Sequence, residues 1–286
     1  MRLRNLIVFI MVLCVFAGCG TDNNTSSGEN QAGEINSSNA LERYNSAVDA
    51  LFNSDSYTIT GNTDISMTEE GKESFNMGMT MSSELKAGKD ENGNRTASLE
   101  TFFELADMTE KGGGYYKDGY FYPQSIKQKM KTDYEGIFSE GNINIFKLTD
   151  NVLSQGAEPV IKKVENGYRI DFDLNVDVLK QEVPDFLSNL LDYLRVSEHD
   201  FTMLECQVVA IIGDNGELRA GTLVSKAQVE LYDGTSEADF RDFKVDCDIE
   251  ITESISQINN TEVTFPDNLD EYVDVTPKTD SEETSE

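Results

Sequence analysis

Residues 57–67 read YTITGNTDISM, and residues 75–85 read FNMGMTMSSEL. The large apolar side chains all fall on one parity: Tyr57, Ile59, Ile65 and Met67 in the first stretch, Phe75, Met77, Met79, Met81 and Leu85 in the second. Thr58, Thr60, Asn62, Asp64 and Ser66 alternate with the first set, and Asn76, Thr80, Ser82 and Glu84 with the second. Period two is the repeat of a β-strand, and a strict apolar/polar alternation belongs to antiparallel strands with one wet face and one covered face. Glu70-Gly71 between the stretches marks a turn, so the two should be neighbours in one sheet.

The same pattern continues outward. Ala97, Leu99, Phe103 and Leu105 share a face, after a turn at Asn92-Gly93. Tyr115-Tyr116-Lys117-Asp118-Gly119-Tyr120-Phe121-Tyr122 is a hairpin signal: Asp-Gly favours the type I′ turn, and a two-residue loop sets Tyr116 against Phe121 and Tyr115 against Tyr122. Lys127–Lys131 adds a short strand, and Asn166-Gly167 centres a second hairpin over 160–174. Three long strands follow, near 201–212, 218–231 and 239–252; in the last, Phe243, Val245, Cys247, Ile249 and Ile251 alternate with Lys244, Asp246, Asp248 and Glu250.

Helical spacing appears twice. In Asn39–Asn53, Leu41, Tyr44, Val48 and Leu51 form one stripe, and Asn39 with Glu42 has the spacing of a capping box. In 176–194, Val176, Leu179, Val183, Leu187, Leu190, Leu191 and Leu194 recur likewise, with Pro184 kinking or splitting the helix. Short helices are expected at Tyr134–Ser139 and Asp150–Ser154. The fold class is therefore α+β: one antiparallel sheet with helices laid on its covered face.

The N-terminus has its own grammar. Arg2 and Arg4 precede a wholly apolar run, 6–17, which is too short to span a bilayer and suits a signal peptide. Ala17-Gly18-Cys19 then resembles a bacterial lipobox. That resemblance implies cleavage before Cys19 and acylation of its thiol by palmitate-type chains. Residues 1–18 are thus expected to be the signal peptide, and 19–38, rich in Gly, Asn, Ser and Thr, a flexible tether. The folded domain is expected over 39–265, followed by a disordered acidic tail over 266–286. An extracytoplasmic, lipid-anchored position at the cell membrane follows.

The formal charge of the 286 residues is −30. A surface so acidic repels nucleic acid and anionic headgroups. Chemistry is sparse. The one histidine, His199, lies in Ser197-Glu198-His199-Asp200, and neighbours in sequence rarely converge into a triad. Asp90-Glu91-Asn92-Gly93-Asn94 fails as a calcium loop, because Arg95 stands where the turn glycine belongs and Thr101 where the bidentate glutamate belongs. One histidine and two strand cysteines make no zinc site. No catalytic residue, metal or cofactor is assigned. Cys206 and Cys247 fall two strands apart in a meander, about 10 Å, beyond the roughly 7 Å a disulfide allows, so two buried thiols are expected.

The helix and first strand, "ALERYNSAVDALFNSDSYTITGNTDISM", the hairpin "YYKDGYFYPQSIKQKMK" and the lipobox together resemble Gram-positive envelope lipoproteins similar in architecture to the LolA/LppX-type carrier and lipid-binding superfamily. The resemblance covers 39–265. It implies a strongly curved antiparallel sheet, an incomplete barrel, with helices on its concave face and a lipid or other hydrophobic ligand between them. Phe75, Met77, Met79, Met81, Leu99 and Phe103 are the candidate lining; the same residues serve equally as core beneath a helix, and the sequence leaves both open. The alternative function is a non-catalytic scaffold or sensor that binds an envelope protein through an exposed aromatic hairpin at 115–122.

Overall fold

Among the described residues, two runs of antiparallel strands meet along one seam. The computed structural model describes residues 34–69, 76–105, 108–138, 145–182, 201–233 and 241–276. A first helix, α1 (Ala40–Asn53), leads into β1 (Tyr57–Glu69), β2 (Asn76–Lys89), β3 (Arg95–Leu105), β4 (Met108–Lys117), β5 (Tyr120–Pro123) and β6 (Gln128–Lys131). After α2 (Tyr134–Phe138) come β7 (Val160–Val164), β8 (Gly167–Asp173), α3 (Val176–Glu182), β9 (Phe201–Gly213), β10 (Leu218–Asp233), β11 (Arg241–Ser256) and the two-residue β12 (Val273–Asp274).

These strands form one sheet in the order β12-β6-β5-β4-β3-β2-β1-β11-β10-β9-β8-β7. The chain starts at the centre with β1, meanders outward to β6, crosses to the far edge at β7, and meanders back until β11 pairs with β1 from Thr58↔Ser256 to Glu69↔Val245. Among the described strands only β12 on β6 is parallel. The two end strands, β12 and β7, lie at opposite edges, so the sheet is open.

The expected hairpins have the expected registers. Asp118 and Gly119 both take positive φ, 52° and 78°, as a type I′ turn requires. Tyr116 faces Phe121 and Tyr115 faces Tyr122. Gly113 departs from ordinary strand backbone at φ 126°, and a Cβ there would lie 2.0 Å from the Leu99 carbonyl oxygen; only glycine lets β4 approach β3 this closely.

Helix α1 buries Ala40, Tyr44, Ala47, Val48 and Leu51, a helical stripe that packs on β9 and β10. The crossing segment is tied to it by side chains. The Tyr44 hydroxyl donates to the Phe146 carbonyl at 2.9 Å. The Asn45 amide donates to the Leu148 carbonyl at 2.7 Å and accepts from its N–H at 2.9 Å. Ile145, Phe146, Leu148 and Val152 are thereby drawn into the core. The other end of α1 is held by Arg95 of β3, whose guanidinium donates to the Ser54 carbonyl at 2.9 Å and the Phe52 carbonyl at 2.5 Å. Those carbonyls are among the ones a helix end leaves without partners.

Four local expectations are corrected. The Asn39 side chain does not cap α1: its Oδ1 accepts from the Asn36 N–H and its Nδ2 donates to the Glu34 carbonyl, because the side chain turns back to close the preceding turn. The tether ends earlier than residue 38, since Ile35 is buried against the core. Asp150–Ser154 is a turn rather than a helix, because Leu153 bridges to Leu174 and the Asn175 N–H bonds the Val152 carbonyl. The domain does not end at 265. Residues 266–276 are ordered: Tyr272 is buried on Tyr122, 5.5 Å between ring centroids, Lys127 pairs with Glu271 at 2.9 Å, and β12 bonds to β6. Residues 277–286 of the expected tail, the signal peptide and Cys19 lie outside the described residues, as do Pro184 and the remainder of the helix expected to 194.

The Arg95 contact joins the first helix to the third strand, so its loss should be felt by the whole sheet. Arg95→Met is expected to lower the unfolding free energy by about 2 kcal/mol, the scale of hydrogen bonds from a charged donor, measured as a shift in urea midpoint at unchanged slope.

Candidate functional site

Parity along each strand divides the sheet into an outer, wet face and a covered face. On the covered face Tyr57, Ile59, Ile65 and Met67 of β1 meet Val245, Cys247, Ile249, Ile251 and Ile255 of β11, all buried. Over β8 to β10 this face is largely buried: Phe172 touches Tyr44 of α1 at 5.5 Å between ring centroids, and Leu179 of α3 is buried beside them.

The covered face changes character toward β2 and β3. Met79 is 7% exposed. Next to it Met81, paired with Phe103 across the strands, and Leu99, paired with Leu85, are aligned on the same side. Met81, Leu99 and Phe103 are only half-buried. Four of the six candidate lining residues are thus brought together as a strip, with Met79 at its inner edge. Met77 sits opposite Met67 in the register, but its side chain lies outside the described residues, as does Phe75.

One end of the covered face is closed by aromatic rings. Tyr116 approaches Tyr134 at 5.3 Å and Phe138 at 6.3 Å. The hydroxyls of Tyr57 and Tyr134 stand 3.4 Å apart, and burial pushes the Tyr57 phenol up from its usual range. The Arg95 guanidinium lies 5.8 Å from the Tyr134 ring centre. The hairpin expected to present exposed aromatics does so only in part: Tyr116, Phe121 and Tyr122 are buried, because this aromatic end and the 266–276 segment cover them from two sides, while Tyr115 and Tyr120 stay half-buried.

The outer face holds a shallow pocket of about 330 Å³ around Asp64, Ser66, Gly78, Thr80, Asp248 and Glu250. Its carboxylates are wet-face side chains, and no group of three or more ligating residues among the described residues is placed to hold a metal ion. Asp90 closes its own turn, accepting from the Asn92 and Asn94 N–H groups; these hydrogen bonds, those of Asn94 foremost, hold its carboxyl below the usual range. It is a hairpin turn. His199 lies outside the described residues.

One covered-face residue was not singled out by sequence reasoning. Glu253 continues the apolar parity of Cys247, Ile249 and Ile251, and its side chain is 6% exposed. The signal was available: a glutamate on the odd, buried register of β11.

Cys206 lies opposite Ser225 and Cys247 opposite Ala227, two strands apart and offset along them. Both are free, buried thiols. Burial pushes each up to about 12, with Asp246 and Asp248 adding to the effect at Cys247.

No family profile matches the chain, and no curated relative matches it. Among solved structures it is similar to LprF from Mycobacterium bovis, at 10% identity over 80% of this chain and 97% of that one, TM-score 0.41. It is also similar to the LolA superfamily protein NE2245 from Nitrosomonas europaea, at 11% identity over 82% and 97%, TM-score 0.21. A DUF1329 family protein from Desulfovibrio piger is similar at 9% identity over 79% and 95%, TM-score 0.23. At these identities and scores, the functional reading rests on the chain's own faces and not on its neighbours.

The thiols make a direct test of the core. At pH 8 both remain protonated in the folded chain, so iodoacetamide should label neither until denaturant is added, as read by intact mass. Above pH 9 the unfolded chain loses its thiol protons while the fold keeps them up to about pH 12, so the folded state binds more protons and stability should fall as pH rises.

Proposed function

We propose that this chain is a non-catalytic, membrane-anchored extracytoplasmic lipoprotein that holds a lipid or similar amphiphile against the covered face of its sheet. In this reading Cys19 carries the anchor and the sheet is curved into an incomplete barrel, with α1 and α3 on its concave side. Long strands twist, and register shifts between β9 and β10, at Leu218/Ala220 and Lys226/Ala227, bend such strands further.

The observation that carries the proposal is the half-buried apolar strip of Met81, Leu99 and Phe103, side by side on a face whose centre, over β1 and β9 to β11, is buried. Methionine adapts its shape to varied apolar partners. Each methylene buried there contributes about 0.8 kcal/mol, so an acyl chain must lay down roughly ten of them to approach micromolar binding. The acidic exterior disfavours an anionic headgroup at the mouth. The alternative, a scaffold that binds an envelope protein, keeps only Tyr115 and Tyr120 of the hairpin as half-exposed rings, a smaller surface than the strip.

Native mass spectrometry of the full chain purified from its host membrane, followed by lipid extraction, tests the ligand. Co-purifying acyl species are expected in the natural chain and in His199→Ala, and should be lost in Met79→Trp, which fills the strip. A ligand-free chain that also fails to bind a fluorescent fatty acyl probe would overturn the reading.

The anchor is tested separately. Cys19→Ala should abolish incorporation of radiolabelled palmitate and leave the protein without a covalent lipid, whereas undiminished labelling would refute the assignment.

A further inference from the structure

Glu253 stands between two glycines of neighbouring strands, Gly61 of β1 and Gly221 of β10. The two gaps are filled differently. A Cβ at Gly221 would meet Ile145 of the crossing segment at 3.9 Å, so that side belongs to the packed core. A Cβ at Gly61 would lie 2.6 Å from Ser83 Oγ and 4.0 Å from Glu253 Oε1: the hydroxyl and the carboxylate converge over this glycine. Thr101 follows Ser83 in the same cross-strand row, and both are half-buried. Apolar pairs flank this polar row, Met81 with Phe103 on one side and Leu85 with Leu99 on the other. The carboxylate therefore sits where packed core gives way to the half-open strip.

We propose that Glu253, together with Ser83, anchors the headgroup of the bound amphiphile, and that this headgroup is uncharged and hydroxyl-bearing. The inference rests on the lipid-binding reading above and specifies its ligand. A carboxylate is expensive to bury, and in an apolar face it is an acceptor that seeks a donor. An anionic head is repelled by it. An ammonium head would gain the carboxylate's attraction, but both charges would have to shed tightly held water in apolar surroundings, a cost that such a buried pair often does not recover, whereas a hydroxyl sheds far less. Glu253 already holds another contact within the fold; a carboxylate offers about four acceptor positions, which leaves room for a ligand hydroxyl.

The test uses the full chain, delipidated and exchanged into amphipol, titrated with monopalmitoylglycerol, methyl palmitate and palmitate and read by native mass spectrometry. Monopalmitoylglycerol should bind about tenfold or more tighter than methyl palmitate, the discrimination of one hydrogen bond to a charged group. Glu253→Gln should narrow that preference and strengthen palmitate binding, since the repelling charge is gone while the packing is kept. Ser83→Ala should reduce the preference about threefold, and decides the matter if the glutamate variant loses its fold by circular dichroism. Equal binding of monopalmitoylglycerol and methyl palmitate by the natural chain would overturn the headgroup assignment while leaving acyl binding intact. Failure of all three probes would overturn both.

Discussion

The pairing of β1 with β11 is the contact on which the rest of the structure depends. It joins the first strand of the sheet to the last long one, from Thr58↔Ser256 to Glu69↔Val245. Until it forms, the chain is two separate meanders, each with an apolar face open to water. Once it forms, Ile59 meets Ile255, Ile65 meets Ile249 and Met67 meets Cys247, and the covered face becomes continuous. Closing so long a loop costs more entropy than any hairpin turn, and folding that waits on distant strand pairs is slow. The local signals, Asp118-Gly119 above all, build the two halves; the β1–β11 ladder, the side chains buried along it and α1 packed on β9 and β10 hold them together.

This division explains what the sequence made legible. Strand parity, the hairpin registers and the stripe of α1 are repeats of two or of about four residues, and short-range periodicity writes them directly into the chain. The two reduced thiols followed from parity and strand spacing. What failed depended on choices that no repeat encodes, some between near neighbours and some between partners far apart in sequence. Asn39 was read as a cap, yet its amide is taken by Glu34 and Asn36. The ordered segment after Pro266 is acidic and poor in apolar residues, and a single ring, Tyr272 on Tyr122, together with β-pairing to β6 secures it. Four of the candidate lining residues were placed together by parity alone, but which part of the face is packed and which is half-open depends on where α1 and Ile145 land, and no local repeat encodes that.

The outer face shows how the fold tolerates its charge. Asp64 and Glu250 lie directly opposite in the register of β1 and β11, a like-charged pair that opposes strand pairing. Relief comes from nearby cations and amides on the same face: Lys226 faces Asp248 across β10 and β11 and pairs with Glu205 at 3.2 Å, Gln228 donates to Asp246 at 3.2 Å, and Lys244 pairs with Glu230 at 3.3 Å. These groups are exposed, so water and salt screen both the repulsion and the pairs. The cost is small on a wet face. The same carboxylate chemistry on the covered face would not be screened, which sets Glu253 apart from the acids that alternate before it in β11.

The width of the sheet makes a half-open strip understandable. Strands lie about 4.8 Å apart, so twelve of them extend over roughly 50 Å of arc, while a helix with its side chains is about 10 Å across and covers two or three strands. Among the described helices, α1 lies on β9 and β10, α3 reaches β9, and α2 supplies rings to the end near Tyr116. The crossing segment adds Ile145 over Gly221. Helices so placed leave β2 and β3 with less cover than the strands on the far side of the seam, and it is there that Met81, Leu99 and Phe103 stay half-buried. A face of this kind gains free energy from any apolar body that completes it, and a flexible methionine beside a fixed aromatic ring accepts more than one shape of body.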